Sequence, residues 1–524
     1  MVNSKTRAYC IKVRNQSEFD ELNNEIAKAI EIGKNNIYVR ISKGTYRFNE
    51  NHIRLKGLYK DLKITISGKK AVLTSCSDLK KIDNDPWQNM IQLNNLIQIV
   101  DEDKKLCFIP YPNQWGDEDR ISMTKVQVTQ WFRARVYDVE KIDEKGIYFV
   151  AKELGWTNEY GRKGYNVNLD YLYLGAFPRF RLFDERISID SKASCFLRLE
   201  NVEGISLVMT GLSFCGNSDE SALMLMNDVK ANHIYVHNCF FKNIHGHVGF
   251  FSNVSNVIFE SNRVNNTNGN EIKFVNNCEN VRIINNVFEN CGKALGQTFC
   301  VTCWESSYYV AYNHFIDFGY SAIGVGVWHG YEKIMPSQGI IEYNEMNYSP
   351  TYYSNYFRHT LMDGGAIYAW TQNDCVIIRN NYIHDIIGMG DNRGIFCDDG
   401  ANNIKIYNNI ILNTPNCFSI DSRFVKDPEN KYNCNAYNFM AHNIVDNKVR
   451  FMGYATENRH CMKGYNIILT KKANDILNNI YDFLEFAEKD VYIEGWGRNK
   501  GILVIPRQYK PFIKGISKDK LRYR

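Results

Sequence analysis

The segment Ile404-Lys405-Ile406-Tyr407-Asn408-Asn409-Ile410-Ile411 has two apolar residues one position apart, then an Asn pair and further apolar residues. The same pattern occurs at Val281-Arg282-Ile283-Ile284-Asn285-Asn286-Val287-Phe288 and at Val376-Ile377-Ile378-Arg379-Asn380-Asn381-Tyr382-Ile383. Taking the second Asn as a marker, the equivalent positions are Cys239, Asn262, Asn286, Asn313, Asn344, Asn381, Asn409, Asn443 and Asn466. A repeat of this length with alternating apolar residues predicts a stacked solenoid.

The residue types within each repeat favour an all-β solenoid, a parallel β-helix. A leucine-rich repeat would show dominant Leu and a helix in each repeat, whereas Ile, Val, Asn and Phe dominate here. Because equivalent side chains of a solenoid lie in columns, the Asn at the fixed turn position predicts an amide ladder that is hydrogen-bonded from coil to coil.

Four regions are expected along the 524 residues. Residues 1–76 hold an amphipathic capping helix, Ser17 to Gly33 with Ser17 as N-cap, and the first coils. Residues 77–187 break the repeat and read as an inserted β-rich subdomain. Residues 188–470 form the β-helix that carries the site, and residues 471–524 hold a second amphipathic helix, Ala473 to Ala487, and a basic tail.

Composition excludes several classes of function. A net charge of +5 gives no nucleic-acid signal, and no run of 18 apolar residues predicts a membrane span. The fifteen Cys are irregularly spaced and odd in number, which favours reduced core thiols and argues against a zinc site. No apolar signal segment opens the chain, so we expect a cytoplasmic protein, or a periplasmic or secreted one if a signal was removed. The oligomeric state is left open.

One strand in each repeat carries the strongest chemical signal. Aligning the repeats on the Asn marker gives four-residue rows such as Phe299 to Thr302 and Ile367 to Trp370, in which the first and third residues are apolar and face inward. The outward fourth position is Trp370, Asp398 and Asp421 on three successive coils. Neighbouring strands lie about 4.8 Å apart, so the two carboxylates are expected roughly 5 Å apart. Such a pair suits glycoside hydrolysis.

Aromatic and polar residues around this pair are candidate sugar contacts. A lone Asp at a β-turn is usually only solvated, and Asp399 has the alternative role of capping the turn before Gly400. Trp370 and Tyr368 offer rings for stacking on a sugar, and Arg423 offers a partner for a carboxylate or a uronate. Further substrate-binding candidates extend the strip along the helix axis, namely Trp304, Glu305, Trp328, His329 and His359.

The largest insertion between coils ends in Met362-Asp363-Gly364-Gly365-Ala366-Ile367-Tyr368. The paired Gly allows a tight turn into the strand, and Asp363 is expected at the start of that turn. Asp363 is therefore a third catalytic candidate, with a plain turn residue as the alternative.

This segment, together with Asn380-Asn381-Tyr382-Ile383-His384-Asp385 and Arg393-Gly394-Ile395-Phe396-Cys397-Asp398-Asp399-Gly400, resembles the right-handed parallel β-helix glycoside hydrolases of families 120 and 141, in the pectate-lyase-like superfamily. The resemblance covers about residues 17 to 470. It implies a retaining hydrolase acting on xylose- or fucose-containing plant glycans.

Carried over residue by residue, the Gly-Ile-aromatic-x-Asp motif implies that Asp398 is the nucleophile. The acid/base carboxylate falls on Asp421, where family 120 has Glu, and Asp363 is the alternative partner by resemblance to family 141. No cofactor or metal is expected for this reaction, and the partner is a poly- or oligosaccharide.

Two other functions remain open. A polysaccharide lyase acting on uronate polymers would need a Lys or Arg base, and only in that case is calcium expected; Lys273 and Arg393 are available, but no basic strip is. A non-catalytic glycan-binding β-helix has the same fold, although it does not need two stacked carboxylates.

Overall fold

The computed structural model describes these residues: 8–48, 52–75, 90–92, 97–101, 104, 106–110, 125–130, 133–150, 167–168, 171–172, 179–183, 195–216, 222–244, 246–267, 271–292, 298–326, 337–349, 364–370, 373–386, 393–398, 401, 403–421, 439–441, 443–445, 448–452, 462–464 and 467–468.

The main body is a parallel β-solenoid with three strand ladders, here called face 1, face 2 and face 3. Two long strands, Ile53–Gly68 and Leu197–Thr210, contribute their first halves to face 1 and their second halves to face 2. The other strands of face 1 are Ala222–Lys230, His247–Val254, Ile272–Val275, Phe299–Trp304, Ser321–Gly326, Ile367–Trp370, Arg393–Asp398, Asn416–Asp421 and Lys448–Met452.

Faces 2 and 3 follow face 1 along each coil. The other strands of face 2 are Tyr9–Val13, Asn36–Ile41, His233–His237, Val257–Glu260, Val281–Ile284, Ser307–Ala311, Ser337–Glu342, Asn373–Arg379, Ile404–Tyr407, Phe439–Ala441 and Met462–Gly464. Face 3 consists of Gly44–Arg47, Ala71–Thr74, Ser213–Cys215, Phe240–Lys242, Arg263–Asn265, Val287–Glu289, His314–Ile316, Glu345–Asn347, Tyr382–His384, Ile410–Leu412, Ile444–Val445 and Ile467–Ile468. This architecture confirms the predicted all-β parallel solenoid.

The interior is filled by the inward residues of all three faces. Successive coils stack similar side chains, as in the pair Phe251 and Phe274, whose ring centroids lie 4.7 Å apart, and the pair Phe288 and Phe315, at 4.9 Å. The cysteines that the structure describes form no disulfide bonds with one another, and most of them are buried. Burial of this continuous apolar column stabilises the coils against one another.

Asn residues shape the corners between faces. Asn285, Asn380 and Asn408 have positive φ angles of 58°, 55° and 56°, in the left-handed region that Asn adopts more readily than most residues. Each precedes a marker Asn of the repeat. The corner residue therefore turns the chain from face 2 to face 3, and the next residue can point inward.

The marker Asn residues form the predicted ladder. Asn313 is fully buried, and its Nδ2 donates to Oδ1 of Asn344 at 2.9 Å and to the carbonyl oxygen of Ile283 at 2.9 Å. Its own Oδ1 accepts from the backbone N–H and the Nδ2 of Asn286, both at 2.9 Å. Marker-to-marker bonds of the same kind continue through Asn262, Asn286, Asn313, Asn344, Asn381, Asn409 and Asn443.

The N-terminal cap consists of two short helices, Gln16–Asp20 and Leu22–Glu31. The N-cap is Asn15 and not Ser17 as predicted, because the Asn15 side chain accepts the backbone N–H of Glu18 at 2.9 Å. Phe19 and other apolar residues of this region are buried against the first coils. Within the described part of the chain, no helix is long and apolar enough to cross a membrane.

A second, antiparallel sheet interrupts the solenoid between its first and later coils. Its described strands are Met90–Gln92, Ile97–Asp101, Leu106–Pro110, Lys125–Gln130, Arg133–Asp143, Gly146–Val150, Val167–Asn168, Tyr171–Leu172 and Arg179–Phe183. The boundaries at residues 76, 187 and 470 stay predictions. The predicted helix Ala473 to Ala487 and the basic tail lie outside the described residues.

The register of face 1 corrects part of the sequence alignment. Val301 pairs with Ile323 and Trp304 with Gly326, so this row runs from Val301 to Trp304 and not from Phe299 to Thr302. The connection from face 1 to the Asn marker varies in length, since Asn313 lies 9 positions after Trp304 but Asn286 lies 11 positions after Val275. Counting back from the Asn marker therefore misplaces the row.

Candidate active site

A compact cluster of apolar side chains covers part of the outer surface of face 1. This outer cluster, separate from the interior core, comprises Val275, Phe299, Trp304, Tyr320, Tyr368 and Phe396, with Phe250 and Trp370 packed against it. Its strand residues alternate with core residues such as Ala369, as the two-residue period of a strand requires. The outer surface at these coils is apolar and largely buried.

Aromatic rings in the cluster meet mostly edge to face. Phe299 lies 5.7 Å from Trp304 at 81° and 5.4 Å from Tyr320 at 90°, measured between ring centroids. Tyr368 lies 5.2 Å from Phe396 at 84°. Such contacts restrain each ring, so Tyr368 holds its hydroxyl in a defined position.

Asp398 lies beside this cluster at the end of the strand Arg393–Asp398. Its side chain is only 2% exposed, and its Oδ2 accepts a hydrogen bond of 2.6 Å from the hydroxyl of Tyr368. Tyr368 belongs to the outer cluster, so this carboxylate is on the outer side of the face and not in the core. A buried carboxylate must be hydrogen-bonded to be stable, and Tyr368 supplies one such bond.

Asp421 ends the next strand of face 1, Asn416–Asp421. The two strands pair Cys397 with Ile420, and Asp398 and Asp421 are the following residues on each. The backbone register is therefore the one expected from the sequence. The structure does not describe the side chain of Asp421.

Three other candidate residues are described. Trp370 pairs with Asp398 across one coil, and its half-buried ring packs against the outer cluster. Trp304 belongs to the same column two coils earlier and is 4% exposed. Glu305, the next residue, is buried at the corner after face 1, and its backbone N–H donates to the carbonyl of Gly326 at 2.8 Å.

Face 1 thus brings Tyr368, Trp370 and Asp398 together and leaves Trp304 and Glu305 three coils from Asp398. The remaining candidates lie outside the described residues: Asp363, Asp399, Trp328, His329, His359 and Arg423.

Two cations on this face were not assigned to the hydrolase site from the sequence. The guanidinium carbon of Arg393 lies 3.8 Å from the ring centroid of Phe396, and Arg393 is 2% exposed. Nζ of Lys273 lies 4.9 Å from the ring centroid of Trp304 and 5.7 Å from that of Phe250. The observed register pairs Lys273 with Thr302 on the next coil, and Trp304 is the next outward-facing residue after Thr302. The register expected from the sequence did not place Lys273 and Trp304 side by side.

The described residues contain no group of three or more His, Cys, Asp or Glu arranged to hold a metal ion. The chemistry that face 1 offers is that of a carboxylate fixed by a phenol, next to aromatic rings.

Comparisons with known proteins place this chain among distant structural likenesses. Neither a protein-family model nor a curated protein matches it. Similar solved structures include XylC in complex with xylose (8% identity, 88% of this chain and 86% of the other, TM-score 0.35). A second is PfbA, a surface adhesin of Streptococcus pneumoniae, with 10% identity over 86% of this chain and 89% of that chain and a TM-score of 0.35. A third is an exopolygalacturonase from Thermotoga maritima, with 10% identity over 88% of this chain and 92% of that chain and a TM-score of 0.32.

The parallel β-solenoid itself confirms the fold that the resemblance implied, and glycosidases are among the similar structures. Membership of family 120 or 141 stays a prediction.

Proposed function

We propose that this protein is a glycoside hydrolase that cleaves a poly- or oligosaccharide on face 1, with Asp398 and Asp421 as its catalytic carboxylates. The observation that carries the proposal is the environment of Asp398. Its carboxylate lies on the outer side of the solenoid, is held by the hydroxyl of Tyr368, and adjoins the half-buried ring of Trp370.

The strand register supports a retaining mechanism. Asp398 and Asp421 follow directly on the paired residues Cys397 and Ile420. Neighbouring strands lie about 4.8 Å apart, so carboxylates in matching positions stand roughly 5 Å apart. Retaining glycosidases use a separation of about 5 to 5.5 Å, whereas inverting enzymes need about 6.5 to 9.5 Å to admit a water molecule.

In the proposed reaction, Asp398 attacks the anomeric carbon and Asp421 donates its proton to the departing glycosidic oxygen. The bond formed is a glycosyl ester to Asp398, and the bond broken is the glycosidic bond. Asp421, now ionised, takes a proton from a water molecule, whose oxygen attacks the anomeric carbon and releases Asp398. Because Tyr368 donates to Oδ2, Oδ1 of Asp398 is proposed as the attacking atom.

The substrate class follows from the resemblance, which implies xylose- or fucose-containing plant glycans. Trp370 is proposed to stack on the sugar bound at the catalytic pair, since its ring is the accessible aromatic surface beside Asp398. Asp363 is kept as the alternative partner of Asp398. The proposed chemistry needs no cofactor.

The proposal is tested with a panel of nitrophenyl xyloside, fucoside, arabinoside and galactoside, together with plant oligosaccharides. Release of reducing sugar is expected for at least one substrate, with the first product in the retained anomeric form by NMR. Asp398→Asn keeps an oxygen that accepts from Tyr368, so it is expected to fold but to lose at least about a thousandfold in kcat/KM.

Asp228→Asn is the matched control. Asp228 lies in the strand Ala222–Lys230 with a φ of 53°, a conformation that Asn also adopts, and it is distant from Asp398 along the solenoid. The control is expected to retain activity. Full activity of a folded Asp398→Asn variant would contradict the role of Asp398. An unsaturated, ultraviolet-absorbing product would instead identify a lyase, and tight glycan binding without turnover would identify a binding protein.

A further inference from the structure

Lys273 carries a cation on the outer surface of face 1. It follows Ile272 of the interior core in the strand Ile272–Val275, so its side chain alternates outward. Its Nζ lies over the ring of Trp304 at 4.9 Å and near that of Phe250 at 5.7 Å. A lysine ammonium within about 6 Å of aromatic centroids is attracted by the faces of the rings.

The charge of Lys273 has no ion-pair partner among the described residues. Among the residues that the structure describes, none is a carboxylate within ion-pair distance of Lys273. Partial burial lowers the pKa of Lys273, because desolvation penalises its charged form. The cation–π contacts recover only part of this cost, so a bound anion would stabilise the ammonium considerably.

Lys273 also lies on the same surface as the proposed catalytic pair. The register connects Lys273 to Thr302, Gly324, Tyr368 and Phe396 on successive coils. Four steps of about 4.8 Å separate the coil of Lys273 from that of Asp398, or about 19 Å along the axis. That distance corresponds to several units of an extended sugar chain. Phe250, half-buried beside Lys273, adds a ring on which a sugar can stack.

We propose that Lys273, flanked by Phe250 and Trp304, is a subsite for an acidic sugar, binding the carboxylate or sulfate of a glycan whose scissile bond lies several units away at Asp398. This subsite deepens the proposed hydrolase and rests on it for the position of the cleaved bond. Its binding chemistry is independent of catalysis. It assigns to the substrate a negative charge, which the carboxylate pair alone does not indicate.

The test measures binding, so that it can be separated from turnover. Calorimetric titrations use the Asp398→Asn protein and four probes: xylotetraose, glucuronate-substituted xylotetraose, tetragalacturonate and a sulfated carrageenan tetrasaccharide. At least one acidic probe is expected to bind tenfold or more tightly than xylotetraose, and added salt should weaken that binding. Which acidic probe binds distinguishes a carboxylate from a sulfate ligand.

The titrations are then repeated with Lys273→Met introduced into the Asp398→Asn protein, and with Lys405→Met introduced instead as the matched control. Lys405 is exposed on face 2 and loses the same charge on another surface. Lys273→Met is expected to weaken the acidic probe about tenfold or more and to leave xylotetraose unchanged. Lys405→Met should change neither.

The proposal is overturned if no acidic probe binds better than xylotetraose, or if Lys273→Met weakens acidic and neutral probes equally. Because these titrations do not depend on turnover, they remain decisive if the parent protein hydrolyses none of the tested glycans. In that case the hydrolase mechanism fails while the acidic subsite can still stand.

Discussion

The hydroxyl of Tyr368 donates a hydrogen bond of 2.6 Å to Oδ2 of Asp398, joining two neighbouring coils on the outer side of face 1. A close counterpart exists on face 2, where the hydroxyl of Tyr309 donates to Oε1 of Glu342 at 2.7 Å, also between neighbouring coils. The same kind of bond thus occurs both beside the proposed catalytic pair and away from it, where Tyr235 also donates to Glu260.

This pair of bonds gives a matched test of the catalytic surface. Tyr368→Phe removes one hydrogen bond to a carboxylate, worth about 1.5 to 3 kcal/mol, and is expected to lower kcat/KM by tenfold or more. Tyr309→Phe removes the equivalent bond on face 2 and should reduce stability without changing kcat/KM. Steady-state kinetics and denaturant unfolding of both variants check this. Equal kinetic losses in the two variants would mean that Tyr368 acts only through stability.

The Asn ladder predicts a large stability effect far from the site. Asn313→Ala removes bonds to the neighbouring marker residues Asn286 and Asn344 and leaves buried backbone groups without partners. The free energy of unfolding is expected to fall by about 3 kcal/mol or more. A loss below about 1 kcal/mol in urea unfolding would show that the ladder contributes little.

Cys239, at the first marker position of the ladder, allows the opposite experiment, in which an Asn is introduced. Cys239 stands where later coils have Asn, and its Sγ lies 3.8 Å from the carbonyl oxygen of Met209. The Nδ2 of Asn262 makes the corresponding bond to Val236, which pairs with Met209. Cys239→Asn is therefore expected to be neutral or stabilising, in contrast to Asn313→Ala.

A buried polar cluster on face 3 predicts pH-dependent stability. Nδ1 of His384 lies 2.7 Å from Oδ2 of Asp385, and Nε2 lies 3.1 Å from Oε1 of Glu345. Burial lowers the pKa of His384, but these two carboxylates outweigh it and raise the pKa from 6.5 to about 9. The other described groups at this cluster are His314, Tyr382 and Asn413.

Because the folded pKa of His384 is raised, the stabilisation is fully present below about pH 6.5 and is lost as the pH rises through about 9. His384→Gln is expected to be less stable than the parent at about pH 6 and to lack this alkaline loss. Thermal unfolding across this range measures both effects. His233→Gln, on face 2, is the control. If the stability of His384→Gln fell with rising pH as steeply as that of the parent, His384 would not be the group responsible.

Glu271 predicts a second pH effect. It is fully buried, accepts bonds from the Thr267 hydroxyl and the Gly292 N–H, and burial raises its pKa from 4.5 to about 8. Its contribution to stability is present below about pH 4.5 and is lost as the pH rises through about 8.

Glu271→Gln keeps an acceptor oxygen without a titrating group. The variant is expected to unfold several degrees higher than the parent at about pH 8, with a smaller difference at about pH 5. Glu279→Gln, at an exposed position, should leave the midpoint unchanged at both pH values. A lower midpoint for Glu271→Gln at about pH 8 would show that Glu271 is ionised and paired there.

The sequence by itself determined the solenoid and its ladder. Alternating apolar residues specify which side chains enter the core, and the Asn pairs specify the corners, because both depend on neighbours within a few residues. Asn285 and Asn286 illustrate this division, the first with a positive φ and the second in the ladder. The column of Trp370 and Asp398 followed from the same periodicity.

Only the tertiary structure decided how coils of unequal length align and what covers their outer surface. The short connection from Trp304 to Asn313 moves Trp304 into the column of Trp370, and its ring lies beside Lys273, which no count along the chain could show. The bond from Tyr368 to Asp398 likewise joins residues 30 positions apart. Such contacts depend on the stacking of separate coils, which local periodicity does not encode.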